Sequence, residues 1–373
     1  MTDRGPRTRQ LKIAIVAPTL SILGGQAVQA DRLLRAWEDD PDVQAWLVPV
    51  NPAPPGLLRH LLRFRGPRTV VTQLTYWPLL VRELRRADIV HVFSASYLSF
   101  ILSPLPAILI ARLLGKPVLV NYRSGEAPDH LRRSALARRV LRASDRNVVP
   151  SPFLQRVFGE FGIEAVVIPN IVDVERFAFR ARKPVRPVLL STRNFEPLYN
   201  VACTLRAFQI IQQRHRNAGL TLVGGGAQES VLRRLVDQLG LRHVHFAGRV
   251  SPHDIWRYYA ASDIYVQTPD IDNMPSSVLE AFASGCVTVS TDAGGVPAIL
   301  TSEVHGLLAP CGDHDAVADR VCRVLEDPDL AERLALRAHE SCSRYLWPAV
   351  RAQWLEVYSS LVHARGVPQQ TTT

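Results

Sequence analysis

The chain has 373 residues, is 47% hydrophobic and 21% charged, and carries a formal net charge of +10. Its length exceeds one small core and predicts two domains, and its composition is that of a soluble globular protein. No run reaches the ~18 uninterrupted apolar residues of a spanning helix; the nearest, 97–114, is interrupted by Ser99, Ser103, Pro104, Pro106 and Arg112.

The amino-terminal MTDRGPRTRQ is polar, has no signal-peptide core and leads directly into a strand, so a cytoplasmic location is expected. The five cysteines (Cys203, Cys286, Cys311, Cys322, Cys342) are odd in number and form no CxxC pair, which speaks against a zinc site or a disulfide framework. Charge is uneven: residues 1–180 hold 25 Lys+Arg and 15 Asp+Glu, residues 181–373 hold 19 of each. Arg59, Arg63, Arg65 and Arg68 form one cluster; Arg132, Arg133, Arg138, Arg139 and Arg142 form another. The asymmetry suits an anionic membrane surface or an anionic substrate, and equally a solvated face of an arginine-rich protein. With no interleaving of basic and aromatic residues, nucleic acid is not an expected partner.

In chain order, apolar runs at 11–17, 43–50, 88–93, 117–122, 146–150 and 165–169 predict buried parallel strands. Helices are expected between them at 26–38, 77–86, 97–114, 131–143 and 152–161. Residues 171–186, which include RKPVR, break the alternation and read as an interdomain linker. A second strand series follows at 187–192, 220–224, 244–248, 263–268 and 287–291, again with helices between. The chain then turns helical at 313–326, 329–343 and 347–363. The fold class is therefore α/β, with two doubly wound, Rossmann-like domains. The expected boundaries are 1–175 with 345–373 for the first and 185–344 for the second. Such domains bind ligands beyond the carboxyl ends of their strands.

The loops after the strands carry the candidate chemistry. Gly24 and Gly25 precede a helix, either to let a ligand approach the backbone or to form a tight turn. Arg193 and Asn194 follow strand 187–192; the arginine suits a diphosphate, or a surface ion pair with Glu196. Gly224, Gly225 and Gly226 do not make GxGxxG, so they mark either a phosphate- or base-adjacent loop or a helix packed closely on the sheet. The stretch DIDNMPSSVLEAFASG (270–285) places Asp272 on a loop and Glu280 about one turn into a helix, with Pro275 at the turn. Ser276 and Ser277 are expected N-caps, and backbone amides over Asn273–Ser277 can meet anionic oxygens. On a ligand-facing side Glu280 can bond a hydroxyl; on an exposed face it would only complement the helix dipole. DAGGVP (292–297) is a further glycine-rich turn. Together these loops point to an anionic, nucleotide-like ligand.

The stretches NMPSSVLEAFASG (273–285), VTVSTDAGGVP (287–297), GLLAPCGD (306–313), FAGRV (246–250) and PNIVD (169–173) make the chain resemble a GT-B glycosyltransferase of the retaining family 4. The resemblance implies two domains facing across a cleft, the first binding acceptor and the second binding donor, and a last helix crossing back to the first. It implies transfer of a sugar from a nucleotide diphosphate sugar to a glycan, lipid or small-molecule acceptor, with no cofactor and no metal. Glu280 would hold the nucleotide ribose, Asp272 would sit near the donor sugar and Gly25 beside the diphosphate. Arg193, Asn194, Gly24, Gly225 and residues Asn273, Met274, Pro275, Ser276 and Ser277 would complete the donor site. Many relatives sit on membranes through a basic acceptor domain, so a peripheral place at the inner membrane face is expected.

Three positions depart from the family. The lysine expected five or six residues after Arg193 falls on Leu198 or Tyr199, the histidine expected after strand 117–122 is Arg123, and the glutamate after GGVP is Ala298. Arg123 and His130 are therefore carried as candidate catalytic residues with Arg193 and Asp272. The alternative is a catalytically impaired member that binds a sugar nucleotide or a partner; a nucleotide-sugar epimerase on the same fold is a third.

Overall fold

The computed structural model describes residues 9–21, 24–53 and 65–364, and divides into two compact units. Unit 1 takes the chain to Pro150, then Leu154–Ile168 and everything from Arg351; unit 2 takes Ser151–Phe153 and Pro169–Val350. Arg59, Arg63 and the side chain of Arg65 lie outside the described residues.

Unit 1 alternates β1 (Leu11–Ala17), α1 (Gly25–Ala36), β2 (Val43–Pro49), α2 (Arg65–Leu84), β3 (Ile89–Ser94), α3 (Tyr97–Leu102), α4 (Pro104–Leu113), β4 (Val118–Tyr122), α5 (Ala127–Arg133), α6 (Ala135–Arg142), β5 (Arg146–Val149), α7 (Pro152–Glu160) and β6 (Val166–Val167). The strands form one sheet in the order β2-β1-β3-β4-β5-β6, every pairing parallel. All of β3 and β4 is buried, which is why these runs are apolar without alternation. The chain reverses its winding between β1 and β3, so the loops after those strands flank the switch point.

Helices differ from the sequence expectation where capping intervenes. The run 97–114 is two helices because Pro104 supplies no N–H and starts α4 at its first turn. The run 131–143 breaks at Ser134, whose hydroxyl accepts from the Ala137 amide at 3.1 Å and starts a new helix. Conversely, α2 runs through Pro78, because buried Val71, Tyr76, Leu80 and Leu84 keep it packed on both sides of the proline.

Unit 2 contains β7 (Val188–Ser191), α8 (Val201–Arg214), β8 (Gly219–Val223), α9 (Glu229–Gln238), β9 (Val244–Gly248), α10 (Trp256–Ala261), β10 (Ile264–Gln267), α11 (Ser276–Ser284), β11 (Val287–Thr291), β12 (Leu307–Ala309), α12 (His314–Glu326) and α13 (Pro328–Ser341). The sheet runs β12-β11-β10-β7-β8-β9, again all parallel, and switches direction between β7 and β10. Leu189, Val266, Val287 and Val289 face one apolar layer with residues of α8 and α12. Leu190 and Tyr265 face the other with residues of α10, α11 and α13. Strand β12 has no counterpart among the expected strands, since three residues are too short to register as a run.

The segment 171–186 is not a linker. Val172 and Phe177 are buried in the second apolar layer. Asp263, itself fully buried at the start of β10, accepts from Arg180 at 2.6 Å and from Arg186 at 2.9 Å. Burial pushes this carboxyl up, but the Arg186 and Arg180 hydrogen bonds outweigh it and hold it at about 2. Arg182 donates to the carbonyls of Ser262, at 2.8 Å, and Ser284. Charges that read as a polar connector thus satisfy buried acceptors within unit 2.

The last helix, α14 (Trp347–Ala364), belongs to unit 1 from Arg351 onward. Arg351 meets Asp40 at 2.7 Å and Asp42 at 2.6 Å. Tyr358 meets His91 Nδ1 at 2.8 Å, and His91 Nε2 meets the Asn121 amide at 3.0 Å. No described helix is long and apolar enough to cross a membrane.

Candidate active site

In unit 2 the switch point brings the loop after β7 beside the loop after β10. Arg193 donates to Asp272 at 2.5 Å and to the Ser277 hydroxyl at 3.2 Å. Both charged side chains are nearly buried, 9% and 12% exposed, so this is not the surface pair with Glu196 that the sequence allowed. Burial opposes the Arg193 charge; Asp272, then Tyr199, Tyr265 and Tyr259, outweigh it and raise the guanidinium above its ordinary value. Its Nε is buried without a hydrogen-bond partner, leaving one donor unspent.

Glu280 lies in α11 just past its first turn and is 7% exposed, so it is not a solvent-facing acid complementing the helix dipole. It hydrogen-bonds Tyr259, whose hydroxyl also meets Thr192 at 2.8 Å and the Ser277 carbonyl at 3.2 Å. Burial, followed by Glu280, pushes the Tyr259 phenol well above its usual range, so it stays a neutral donor. Two adjoining polar groups result: Arg193 with Asp272 and Ser277, and Glu280 with Tyr259 and Thr192.

The glycine-rich turns have a structural reason. A Cβ on Gly294 would stand 2.2 Å from the Asp272 carbonyl oxygen, and one on Gly295 2.0 Å from that of Asn273. These two glycines let the loop carrying Asp272 lie directly on the turn after β11. Gly224 and Gly226 do the same for the loop carrying Arg193: their Cβ atoms would meet the carbonyl oxygens of Arg193 at 2.1 Å and Phe195 at 2.5 Å. The triple glycine therefore serves loop-to-loop contact rather than only helix packing.

Several expected ligand residues turn out to brace the loop. Met274 is buried in the core, where its sulfur and carbonyl accept from Asn170 at 3.3 and 2.7 Å. The N-cap of α11 is Pro275 in extended conformation, not Ser276 or Ser277. Ser277 is instead committed to Arg193. Asn273 is bonded to Ser151, and its amide nitrogen is buried without a partner. Asn194 is half-buried in the turn after Arg193.

Beside this cluster is a pocket of about 490 Å³, lined by Gly224, Gly225, Gly226, Glu196, Glu229 and Arg249 among others. Its size is that of a small-molecule site.

The remaining candidates belong to unit 1. No described atom lies within 4 Å of where a Cβ on Gly24 or Gly25 would stand, and neither has positive φ. No close contact among the described residues therefore requires glycine at either position. The Gln26 amide joins the loops at the switch point by donating to the Ser94 carbonyl at 3.1 Å. Arg123 lies over the Phe93 ring, 5.4 Å from its centre, and donates to Asn121 at 3.1 Å. Burial brings its guanidinium down to about 9, and one terminal nitrogen has no partner. His130 is 2% exposed, sharing a 2.9 Å hydrogen bond with the Tyr122 hydroxyl, which meets Ser96 at 2.9 Å. It packs between Tyr97 and Phe100, and burial lowers its pKa. Enclosed in this way, the catalytic candidate His130 is a core histidine whose Nδ1 is committed to Tyr122.

Sequence reasoning did not single out Tyr259, Thr192, Tyr265 or Gln267. They sit inside or beside apolar runs, where a hydroxyl or amide carries no signal of its own.

The two parallel sheets, each with a ligand-type loop cluster at its switch point, define the GT-B class. The structure aligns with TM-score 0.75 to Anabaena Alr3699/HepE in complex with UDP-glucose, at 17% identity, covering 94% of this chain and all of that one. It aligns with TM-score 0.74 to sucrose-phosphate synthase from Thermosynechococcus elongatus, at 19% identity over 95% of this chain and all of that one. At these identities the likeness shows the fold. In sequence, a family model described as glycosyl transferases group 1 matches residues 174–341, and one described as glycosyltransferase family 4 matches 23–176. The chain belongs to this glycosyltransferase family. A phosphatidyl-myo-inositol mannosyltransferase of Mycolicibacterium smegmatis is 29% identical over 57% of this chain and 55% of that protein. The sulfoquinovosyl transferase SQD2 of Arabidopsis thaliana is 25% identical over 75% of this chain and 58% of its own length. The matched part thus spans a little over half the length of these relatives.

Proposed function

We propose that the chain transfers a glycosyl group from a nucleoside diphosphate sugar to an acceptor, with retention of configuration. The observation that carries the reading is the buried Arg193–Asp272 pair at the unit 2 switch point, with Glu280 in the adjoining helix. Arg193 offers planar, permanently charged donors to diphosphate oxygens and stabilises the charge that develops as the diphosphate leaves. Glu280, held by Tyr259, accepts from the ribose hydroxyls. Asp272, displaced from Arg193 by the incoming diphosphate, is free to meet the donor sugar. The pocket beside them takes the base. In this reading arginine, not a metal ion, neutralises the diphosphate, so turnover persists in a chelator.

We further propose a glycan or lipid-linked acceptor and peripheral attachment at the cytoplasmic membrane face. Supporting this, Val70, Leu74 and Trp77 on α2, Leu98 and Ile101 on α3, and Leu109 and Leu113 on α4 are all exposed. Arg68 and Arg112 are exposed on the same helices. In the second arginine cluster Arg132, Arg133 and Arg139 are exposed, whereas Arg138 and Arg142 donate to backbone carbonyls.

The test is a thermal-shift screen of nucleotide sugars, since a ligand that binds only the folded chain raises its midpoint, followed by turnover assays of the hits with glycan and lipid acceptors. Release of nucleoside diphosphate that depends on acceptor is expected. Binding with no turnover across the panel would leave a sugar-nucleotide-binding protein.

A further inference from the structure

We propose that the pocket beside Arg193 selects guanine, and that Glu196 is the residue that selects it. The inference rests on the nucleotide-sugar reading and names the donor's base.

The pocket floor is glycine backbone, and two charged side chains lie directly on it. A Cβ on Gly225 would come within 3.1 Å of Cγ and Nε of Arg249, and one on Gly226 within 2.9 Å of Glu196 Oε1. Glu229, also in the lining, is spent on Arg233 at 2.8 Å. Among the described residues neither Glu196 nor Arg249 has a side-chain hydrogen-bond or ion-pair partner. Glu196 is half-buried and its turn is fixed: Phe195 is buried, its amide donates to the Gly225 carbonyl at 3.1 Å, and its carbonyl accepts from the Gln228 amide at 3.0 Å. The pocket thus holds one positioned carboxylate and one planar guanidinium, both uncommitted. It adjoins the proposed diphosphate site, because Gly224 packs against the Arg193 carbonyl.

An ionised carboxylate only accepts, and its two oxygens suit two neighbouring N–H donors. Guanine presents such a pair on one edge, the ring N1–H beside the exocyclic amino group. Adenine and cytosine place a bare ring nitrogen next to their amino group. Uracil places its single N–H between two carbonyl oxygens, which a carboxylate repels. Arg249 supplies a flat cation on which a base can stack. Guanine is therefore the base whose edge satisfies both oxygens of the half-buried Glu196 carboxylate, with the exposed Arg249 guanidinium as a stacking surface.

The test is calorimetric titration of the full-length chain with GDP, UDP, ADP and CDP, repeated on Glu196→Gln. GDP is expected to bind at least about tenfold more tightly than UDP, a difference of one hydrogen-bonded pair. The amide of Glu196→Gln offers one acceptor and one donor, which complement the N–H and a carbonyl of uracil. This variant should lose GDP affinity while gaining UDP affinity, with an unchanged melting temperature in the absence of nucleotide. A purely structural role for Glu196 cannot produce opposite changes for two bases. UDP binding better than GDP to the unsubstituted chain, or equal losses for both in the variant, overturns the base assignment and leaves the donor-site reading standing. Binding of none of the four overturns both.

Discussion

The guanidinium of Arg193 lies 4.0 Å from the centre of the Tyr199 ring, while its terminal nitrogen meets Asp272 at 2.5 Å. Tyr199 occupies one of the two positions where the family's lysine is expected. An aromatic face stands at a position where the resemblance implies a second cation. The ring carries no charge, but its face fixes Arg193, the guanidinium proposed to meet the diphosphate. It is held on a short turn, Pro197–Tyr199, with Asn200 in the left-handed region closing it and capping α8.

Tyr199→Phe is therefore expected to keep nucleoside diphosphate affinity, because the ring face survives. Tyr199→Leu should lower affinity by about 2- to 30-fold, the equivalent of a cation–π contact of 0.5–2 kcal/mol. Calorimetry on both variants checks this. In an Arg193→Ala background, Tyr199→Leu should add nothing, since its effect acts through the arginine.

The glycines at the two switch points should respond oppositely. Gly295→Ala places a methyl 2.0 Å from the Asn273 carbonyl oxygen, so the Asp272 loop must move. A loss of about 1–3 kcal/mol of stability, typical of overpacking, is expected together with loss of turnover. Gly25→Ala meets no described atom within 4 Å and should leave the melting temperature unchanged or slightly higher. Any fall in its turnover then reports a ligand passing close to the backbone there.

Asp263→Ala removes the acceptor that Arg180 and Arg186 share. Arg180 and Arg186 are half-exposed and keep water when it is lost, so a cost of about 1–3 kcal/mol is expected, and denaturant unfolding at pH 7 should show it. The carboxyl is depressed to about 2 in the folded chain. Its contribution is therefore complete above the unfolded value of 3.8 and is lost as pH falls through about 2. The gap between wild type and variant should narrow over that window.

His91 should make unit 1 acid-sensitive at milder pH. Burial, reinforced by Arg123, pulls its imidazole down to about 3 from 6.5. Between those values the unfolded chain binds a proton that the folded chain refuses, so stability falls as pH drops below about 6.5, by up to about 1.4 kcal/mol per pH unit. His91→Gln should flatten the slope. Unfolding midpoints measured from pH 7 to pH 4 test it.

The βα alternation was legible because parallel strands covered on both faces must be apolar without a break, and such runs leave a direct trace in residue order. The loops worth inspecting were legible for a related reason: ligands meet the carboxyl ends of those strands, so Arg193, Asp272 and Glu280 could be named from position and chemical type alone. Short or capped elements were less visible. Strand β12 has too few residues to form a run, and the breaks at Ser134 and Pro104 depend on which hydroxyls and amides meet.

Partnership was decided only in three dimensions. Residue order could not say that Arg193 pairs with Asp272 rather than Glu196, because the two strands that carry them become neighbours through the winding of the sheet. It could not separate a glycine with open space beside it from one that admits a neighbouring carbonyl, as at Gly25 and Gly295. It read Arg180, Arg182 and Arg186 as a polar connector, since charge implies exposure until a buried acceptor is known to be waiting. Sequence by itself determined the layered α/β architecture and the residue types at the loop ends, which follow from local pattern. Tertiary structure decided which of those residues pair with one another and which are consumed in holding the loops, because that depends on contacts between segments far apart in the chain.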